Sequence, residues 1–132
     1  MTRSYSLAKE ATAEAIGTAF LLAAIVGSGI MAERLSGGNV SLALLENTLA
    51  TGAALVALIL AFGPISGAHF NPAVTLAEAT QHGLSWREVP AYIGAQSIGA
   101  IAGVFAAHLM FGQDVFQTSA HIRSGGSQLF SE

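Results

Sequence analysis

Residues 66–79 read Ser-Gly-Ala-His-Phe-Asn-Pro-Ala-Val-Thr-Leu-Ala-Glu-Ala and follow directly on a long apolar segment. Asn71 is a residue type preferred just before a helix, because its side-chain oxygen accepts a hydrogen bond from the first free backbone N–H groups. Pro72 comes next, and proline is favoured at the first helical position, where its missing N–H costs nothing. The pair therefore predicts that a new helix starts here, at the end of a segment of membrane-crossing length.

The composition of the chain favours a lipid environment. Hydrophobic residues make up 52% of its 132 positions and charged residues 10%, against roughly 25% charged in typical soluble domains. Five Lys and Arg residues and a net charge of −3 argue against nucleic-acid binding. The chain has no cysteine, which excludes disulfides and thiolate metal sites. A soluble helical protein is the alternative that this composition disfavours.

Apolar segments of spanning length occur three times in the chain, since roughly 20 helical residues cross the hydrocarbon. We predict spans at residues 11–32, 41–62 and 89–111. Gly63-Pro64 is expected to end the second span, so that residues 63–82 form a re-entrant loop and a half-helix too short to cross, with Gly83 as its stop. The predicted fold is an all-α membrane protein of three transmembrane helices and one re-entrant half-helix.

Small residues recur at every fourth position in two of the spans. In the first span they are Ala15, Ala19, Ala23 and Gly27, and in the third they are Ala91, Ala95, Gly99, Gly103 and Ala107. Residues four apart share one helix face, and small side chains let helix backbones approach closely in lipid. We predict that these stripes are helix contacts.

The positions of the basic residues indicate how the chain is oriented across the membrane. Arg3, Lys9 and Arg87 fall on one side of the predicted membrane, and Arg34 and Arg123 fall on the other. Because cytoplasmic loops carry the excess of Lys and Arg, this predicts a cytoplasmic N-terminus in a plasma (inner) membrane protein. A cleaved signal peptide is the alternative for the first span, which is longer than a typical signal core.

A half-helix at membrane depth needs a cavity, because non-helical backbone survives there only when buried in protein or lining water. Its N-terminus carries partial positive charge and free N–H donors. If the Asn71 oxygen caps the helix, its NH2 group remains a donor, while the loop carbonyls before it are acceptors. Such an array can pass water or small hydroxylated solutes and disfavours cations.

Residues 66–75 resemble the first signature loop of the aquaporin/aquaglyceroporin (major intrinsic protein) family. Glu14, in Glu-Ala-Ile-Gly-Thr, resembles the acidic motif in the first helix of the family, and Gln96, in Tyr-Ile-Gly-Ala-Gln, resembles its third-helix glutamine. The resemblance implies a passive channel for water or small neutral solutes. It also implies that Glu14 and Gln96 support the loop, with Glu14 accepting from the loop backbone.

The resemblance assigns the pore residues as well. The signature loop would contribute Gly67, His69, Asn71, Pro72 and Ala73, with Asn71 as the pore asparagine. Thr51 lies at the position of a selectivity constriction, where a small polar residue implies a wider passage for glycerol, urea, ammonia or neutral metalloid hydroxides. The alternative is that Thr51 only hydrogen-bonds back to its own helix.

Members of the family contain two inverted repeats with the pore between them. Residues 1–111 match one repeat, and residues 112–132 read as an extramembrane loop or tail leading into a missing second repeat, with Glu132 in the place of a second Glu14. We therefore expect a truncated half that conducts only with a complementary half, in a homo-oligomer such as the tetramers of relatives. The alternative is a non-conducting assembly partner or a degenerate remnant.

The sequence shows no sign of catalysis or of a cofactor. His69, His82 and His108 are separated by 13 and 26 residues, which matches no compact metal-ligand pattern. Ser66 lies in no nucleophile motif. We predict a protein that is not an enzyme, with no metal and no cofactor, whose partners are the lipid bilayer and its solutes.

Overall fold

The computed structural model describes residues 5–116 and 125–126. These residues form four α-helices and no strand: α1 (Leu7–Leu35), α2 (Val40–Ser66), α3 (Pro72–Thr80) and α4 (Val89–Met110). Among them, α1, α2 and α4 are long and apolar enough to cross a membrane, and α3 is not. The predicted all-α membrane fold is confirmed. Arg3, Arg123, Glu132 and most of the predicted tail lie outside the described residues.

The end of α2 differs from the prediction. Gly63-Pro64 does not end this helix, which continues through Pro64 to Ser66. The helix ends instead at Gly67, whose N–H makes the last helical bond, to the Gly63 carbonyl at 3.0 Å, and whose left-handed φ of 91° turns the chain that follows. Proline inside a membrane helix is tolerated, whereas a left-handed residue necessarily ends it. The loop before α3 is therefore shorter than predicted, spanning residues 67–71.

The short helix α3 begins as predicted and ends differently. The Asn71 side chain accepts from the Ala73 N–H at 2.8 Å, and Pro72 occupies the first turn. At the other end, the left-handed residue is His82, with φ of 62°, rather than Gly83. The Gly83 N–H then donates to the Glu78 carbonyl at 2.9 Å and closes the helix.

The core of the bundle is α1, which packs against both α2 and α4, while α3 packs on α4. On the α4 side, a Cβ added at Gly99 would meet the Ala15 carbonyl, and one added at Gly103 would meet the Ala19 carbonyl. The two backbones are thus in direct contact, as the small-residue stripes predict. This contact sets how closely α4 side chains approach those of α1.

The outside of the bundle is strongly apolar. Phe20, Leu60 and Ile98 are 61%, 74% and 69% exposed, each on a helix of spanning length. Soluble proteins rarely expose contiguous apolar surface of this kind, whereas lipid solvates it. The chain is an integral membrane protein.

Candidate functional site

A buried carboxylate lies at the centre of the bundle. Glu14 of α1 is fully buried and accepts four hydrogen bonds. Its Oε1 accepts from the Ser66 hydroxyl at 2.6 Å and the His69 N–H at 3.0 Å. Its Oε2 accepts from the Phe70 N–H at 2.7 Å and from Gln96 Nε2 at 2.8 Å. A buried carboxylate is costly unless such donors surround it, and here they tie α1 to the loop and to α4.

Gln96 extends this network to the half-helix. Its Nε2 also donates to Thr75 Oγ1 at 2.9 Å, and both side chains are nearly inaccessible. The same Oγ1 lies 3.2 Å from the Asn71 carbonyl and 3.1 Å from His69 Nδ1. Thr75 has a single hydroxyl hydrogen, so it can donate to only one of these two groups. A donation to Asn71 requires that His69 Nδ1 carries its own proton.

The loop that Glu14 holds has an unusual backbone. Ala68 and Phe70 have left-handed φ angles of 53° and 50°, in addition to Gly67. This conformation costs a non-glycine residue roughly 1–2 kcal/mol. It persists where surrounding contacts determine it, and such strain concentrates at functional sites. The bonds from Glu14 to the loop N–H groups are contacts of this kind.

Asn71 lies exposed at the end of this loop. Its oxygen is used by the Ala73 N–H, which identifies that atom as the oxygen because an N–H can donate only to an acceptor. Its NH2 group has no acceptor among the described residues. A cavity of about 270 Å³ adjoins it, lined in part by Thr18, Phe70, Pro72 and Gln96. The half-helix therefore presents a hydrogen-bond donor beside an open space.

Thr51 is not joined to this network. Its hydroxyl donates to Asn47 Oδ1 at 3.2 Å, on its own helix, and Ser28 of α1 donates to the same oxygen at 2.9 Å. By contrast, the neighbouring Thr48 donates to the Leu44 backbone carbonyl at 2.7 Å. Asn47 was not predicted as a site residue, and its signal was a carboxamide within a membrane-crossing segment, where polar side chains usually face a protein interior or a cavity.

Sequence reasoning also missed Glu10 and Tyr92. Glu10 is 5% exposed, one turn before Glu14 on the same face of α1. The Tyr92 hydroxyl lies 2.9 Å from the Ser66 carbonyl and 3.2 Å from Glu10 Oε2, and its ring centroid is 5.1 Å from that of His69. The available signal was the spacing of four between two glutamates at the start of a span.

Fold and site together define an integral membrane protein whose re-entrant half-helix is held by a buried polar network. The sequence matches the family described as "Major intrinsic protein" over residues 1–131. The chain belongs to this family, as the signature loop predicted.

Similar proteins come from bacteria and plants. The chain is 49% identical to "Aquaglyceroporin AqpS" of Rhizobium meliloti (strain 1021) over 98% of its own length and 55% of that protein. It is 40% identical to "Probable aquaporin NIP7-1" of Arabidopsis thaliana and 42% identical to "Aquaporin NIP1-1" of Oryza sativa subsp. japonica, in each case over 76% of its length. It spans 35% and 34% of these two plant proteins, so the curated relatives are considerably longer than the matched region.

Proposed function

We propose that this chain supplies one half of a passive channel for water and small neutral solutes of the glycerol type, and that it conducts together with a complementary half. The observation that carries the proposal is the donor at Asn71. Its NH2 group stands exposed at the N-terminus of a half-helix, beside a cavity, in a bundle of membrane-spanning length.

The chemistry of this end of α3 favours neutral hydroxylated solutes. The helix N-terminus carries partial positive charge, which disfavours cations and protons. The Asn71 NH2 group replaces a hydrogen bond that a water or an alcohol loses on leaving bulk water. Similarity to proteins named aquaporin and aquaglyceroporin supports the same class of solute. If Thr51 lines a constriction, its small side chain favours a wide passage that also admits neutral metalloid hydroxides.

The need for a second half follows from the single half-helix. The described residues contain one half-helix, and residues 71–74 at its N-terminus are exposed. In transporters built from inverted repeats, the conducting site lies between the two repeats. We propose that an inverted counterpart closes the other side and that the assembly forms homo-oligomers in the plasma membrane with the N-terminus in the cytoplasm.

Flux through reconstituted vesicles tests the proposal. The chain is placed in proteoliposomes alone, or together with the segment of the Rhizobium meliloti aquaglyceroporin that lies outside the matched 130 residues. Stopped-flow shrinkage in sorbitol and in glycerol then reports water and glycerol permeability. We expect the chain alone to match empty vesicles, and the pair to conduct in a way that Asn71→Asp abolishes.

Three results would overturn the proposal. Flux by the chain alone that is lost in Asn71→Asp would mean that this chain forms a complete pore, for instance as an antiparallel pair of copies. Flux by the pair that Asn71→Asp leaves unchanged would remove Asn71 from the pathway. Binding of the two segments without any flux would instead favour a non-conducting assembly partner.

A further inference from the structure

Phe70, the residue before Asn71, is held by α1 at two separate points. Its backbone N–H donates to Glu14 Oε2 at 2.7 Å. Its ring lies over Gly17, one turn further along α1, so closely that a Cβ added at Gly17 would overlap the ring atoms. One turn of α1 therefore contacts both the backbone and the side chain of the same loop residue.

The rest of the ring is enclosed as well. Phe70 is 4% exposed and packs with Leu21 and Ala68. Phe62 of α2 meets it edge-on, with ring centroids 6.0 Å apart and planes at 87°. The ring is thus enclosed by side chains of α1, of α2 and of the loop itself.

This enclosure compensates for an unfavourable backbone. A large side chain at φ of 50° is a genuine outlier, which relaxes to negative φ unless its surroundings determine it. A change of φ at Phe70 would turn the chain that leads directly into Asn71. The orientation of the Asn71 side chain is therefore linked to the position of the Phe70 ring.

We propose that Phe70 is a positioning residue for Asn71. Gly17, which has no side chain, leaves the space on α1 in which the Phe70 ring lies, and so fixes the position of the ring. The Glu14 carboxylate holds the backbone of Phe70, and Gly17 holds its side chain. The consequence for solute passage rests on the proposed function, whereas the positioning itself is a property of this chain alone.

The test uses the full chain, labelled with ¹⁵N and solubilised in detergent micelles. The probes are the side-chain NH2 signal of Asn71 and the backbone N–H of Ala73, which donates to the Asn71 oxygen. Gly17→Ala displaces the ring, so we expect the Asn71 signal to shift and amide exchange at Ala73 to accelerate roughly five- to tenfold, as for a lost helix cap. The matched control is Gly94→Ala, at a helical glycine with open space around it.

A second pair of variants removes the ring itself. Phe70→Ala should move the same two signals as Gly17→Ala, while the indole signal of Trp86 stays in place. In the Phe70→Ala background, adding Gly17→Ala should change amide exchange at Ala73 by less than about twofold. The added methyl group then has no Phe70 ring to displace, so the two changes are not additive. Full additivity of the two changes would overturn the proposal, since Gly17 would then act through helix packing.

Unchanged Asn71 and Ala73 signals in both single variants would equally overturn the positioning role. The proposed function is judged separately, by flux. If Gly17→Ala moves the Asn71 signal, and the wild-type chain reconstituted with its complementary half conducts nothing, the positioning role stands and the channel proposal fails. If the wild-type chain conducts with its complementary half, and the Asn71 and Ala73 signals do not move in the variants, the channel proposal stands and the positioning role fails.

Discussion

The side-chain nitrogen of Gln96 lies 2.8 Å from Oε2 of Glu14, although the two residues are 82 positions apart in the chain. This bond joins α1 to α4 at the level of the re-entrant loop. It leaves Gln96 Nε2 a second hydrogen for Thr75 of the half-helix. One carboxamide thus links the buried carboxylate, a spanning helix and α3.

Glu14→Gln should destabilise the chain strongly. Four donors converge on the carboxylate, and a carboxamide offers one oxygen and places an NH2 group against donors. Leaving buried donors unpaired predicts a loss of roughly 2–4 kcal/mol in the free energy of unfolding. Thermal unfolding in detergent, followed by circular dichroism, measures it. Glu46→Gln, at an exposed site on α2, is the control, and equal effects of the two changes would contradict the central role of Glu14.

Thr75→Val should cost stability although it preserves shape. The hydroxyl oxygen of Thr75 is fully buried and accepts from Gln96 Nε2, so a methyl group there leaves that donor without its second acceptor. We expect a loss of about 1–3 kcal/mol. Thr80→Val on the same short helix is the matched control, because Thr80 is exposed and donates only to the Ala77 carbonyl. Indistinguishable melting curves for the two variants would refute the prediction.

Gly103→Ala should separate α1 from α4. The added Cβ would meet the Ala19 carbonyl, which is backbone and cannot rotate away. Overpacking of this kind costs about 1–3 kcal/mol. Gly94→Ala lies on the same helix with nothing near it and should be neutral or slightly stabilising, since alanine is the better helix former. The prediction fails if both variants unfold at the same temperature in detergent.

Asn71 should tolerate a change of charge better than the loss of its oxygen. Asn71→Asp keeps an acceptor for the Ala73 N–H and places negative charge at a helix N-terminus, so we expect stability within about 0.5 kcal/mol of wild type. Asn71→Ala removes the cap and should cost about 1 kcal/mol. Amide exchange across α3 separates the two outcomes. A larger loss in the Asp variant would mean that the NH2 group, rather than the oxygen, supports the fold.

Ser28 and Asn47 should be energetically coupled. Their bond of 2.9 Å joins α1 to α2, and side-chain hydrogen bonds between membrane helices average about 0.6 kcal/mol. A double-mutant cycle with Ser28→Ala and Asn47→Ala should return a coupling of that size. The same cycle with Thr48 in place of Ser28 should return none, because Thr48 bonds to the Leu44 carbonyl of its own helix.

The prediction of the helices succeeded where the signal was local. Asn71-Pro72 marks the start of α3 by backbone chemistry alone, and the apolar segments mark the spans by length and composition. It failed at the end of α2, because Pro64 lies inside this helix and the left-handed Gly67 ends it. Gly67 ends the helix because the loop beyond it turns back towards Glu14, which is a tertiary constraint.

The sequence by itself determined that this is a membrane bundle with a re-entrant half-helix and, through the signature loop, which family it belongs to. Helix starts, spans and small-residue stripes depend on neighbours within a few positions, and such patterns are visible in the chain. Only the tertiary structure decided how Asn71 is held. Glu14 accepts from the Phe70 N–H across 56 positions, and the Phe70 ring lies over Gly17, where a Cβ would overlap it. Contacts of that kind depend on how the helices approach one another, which no local pattern records.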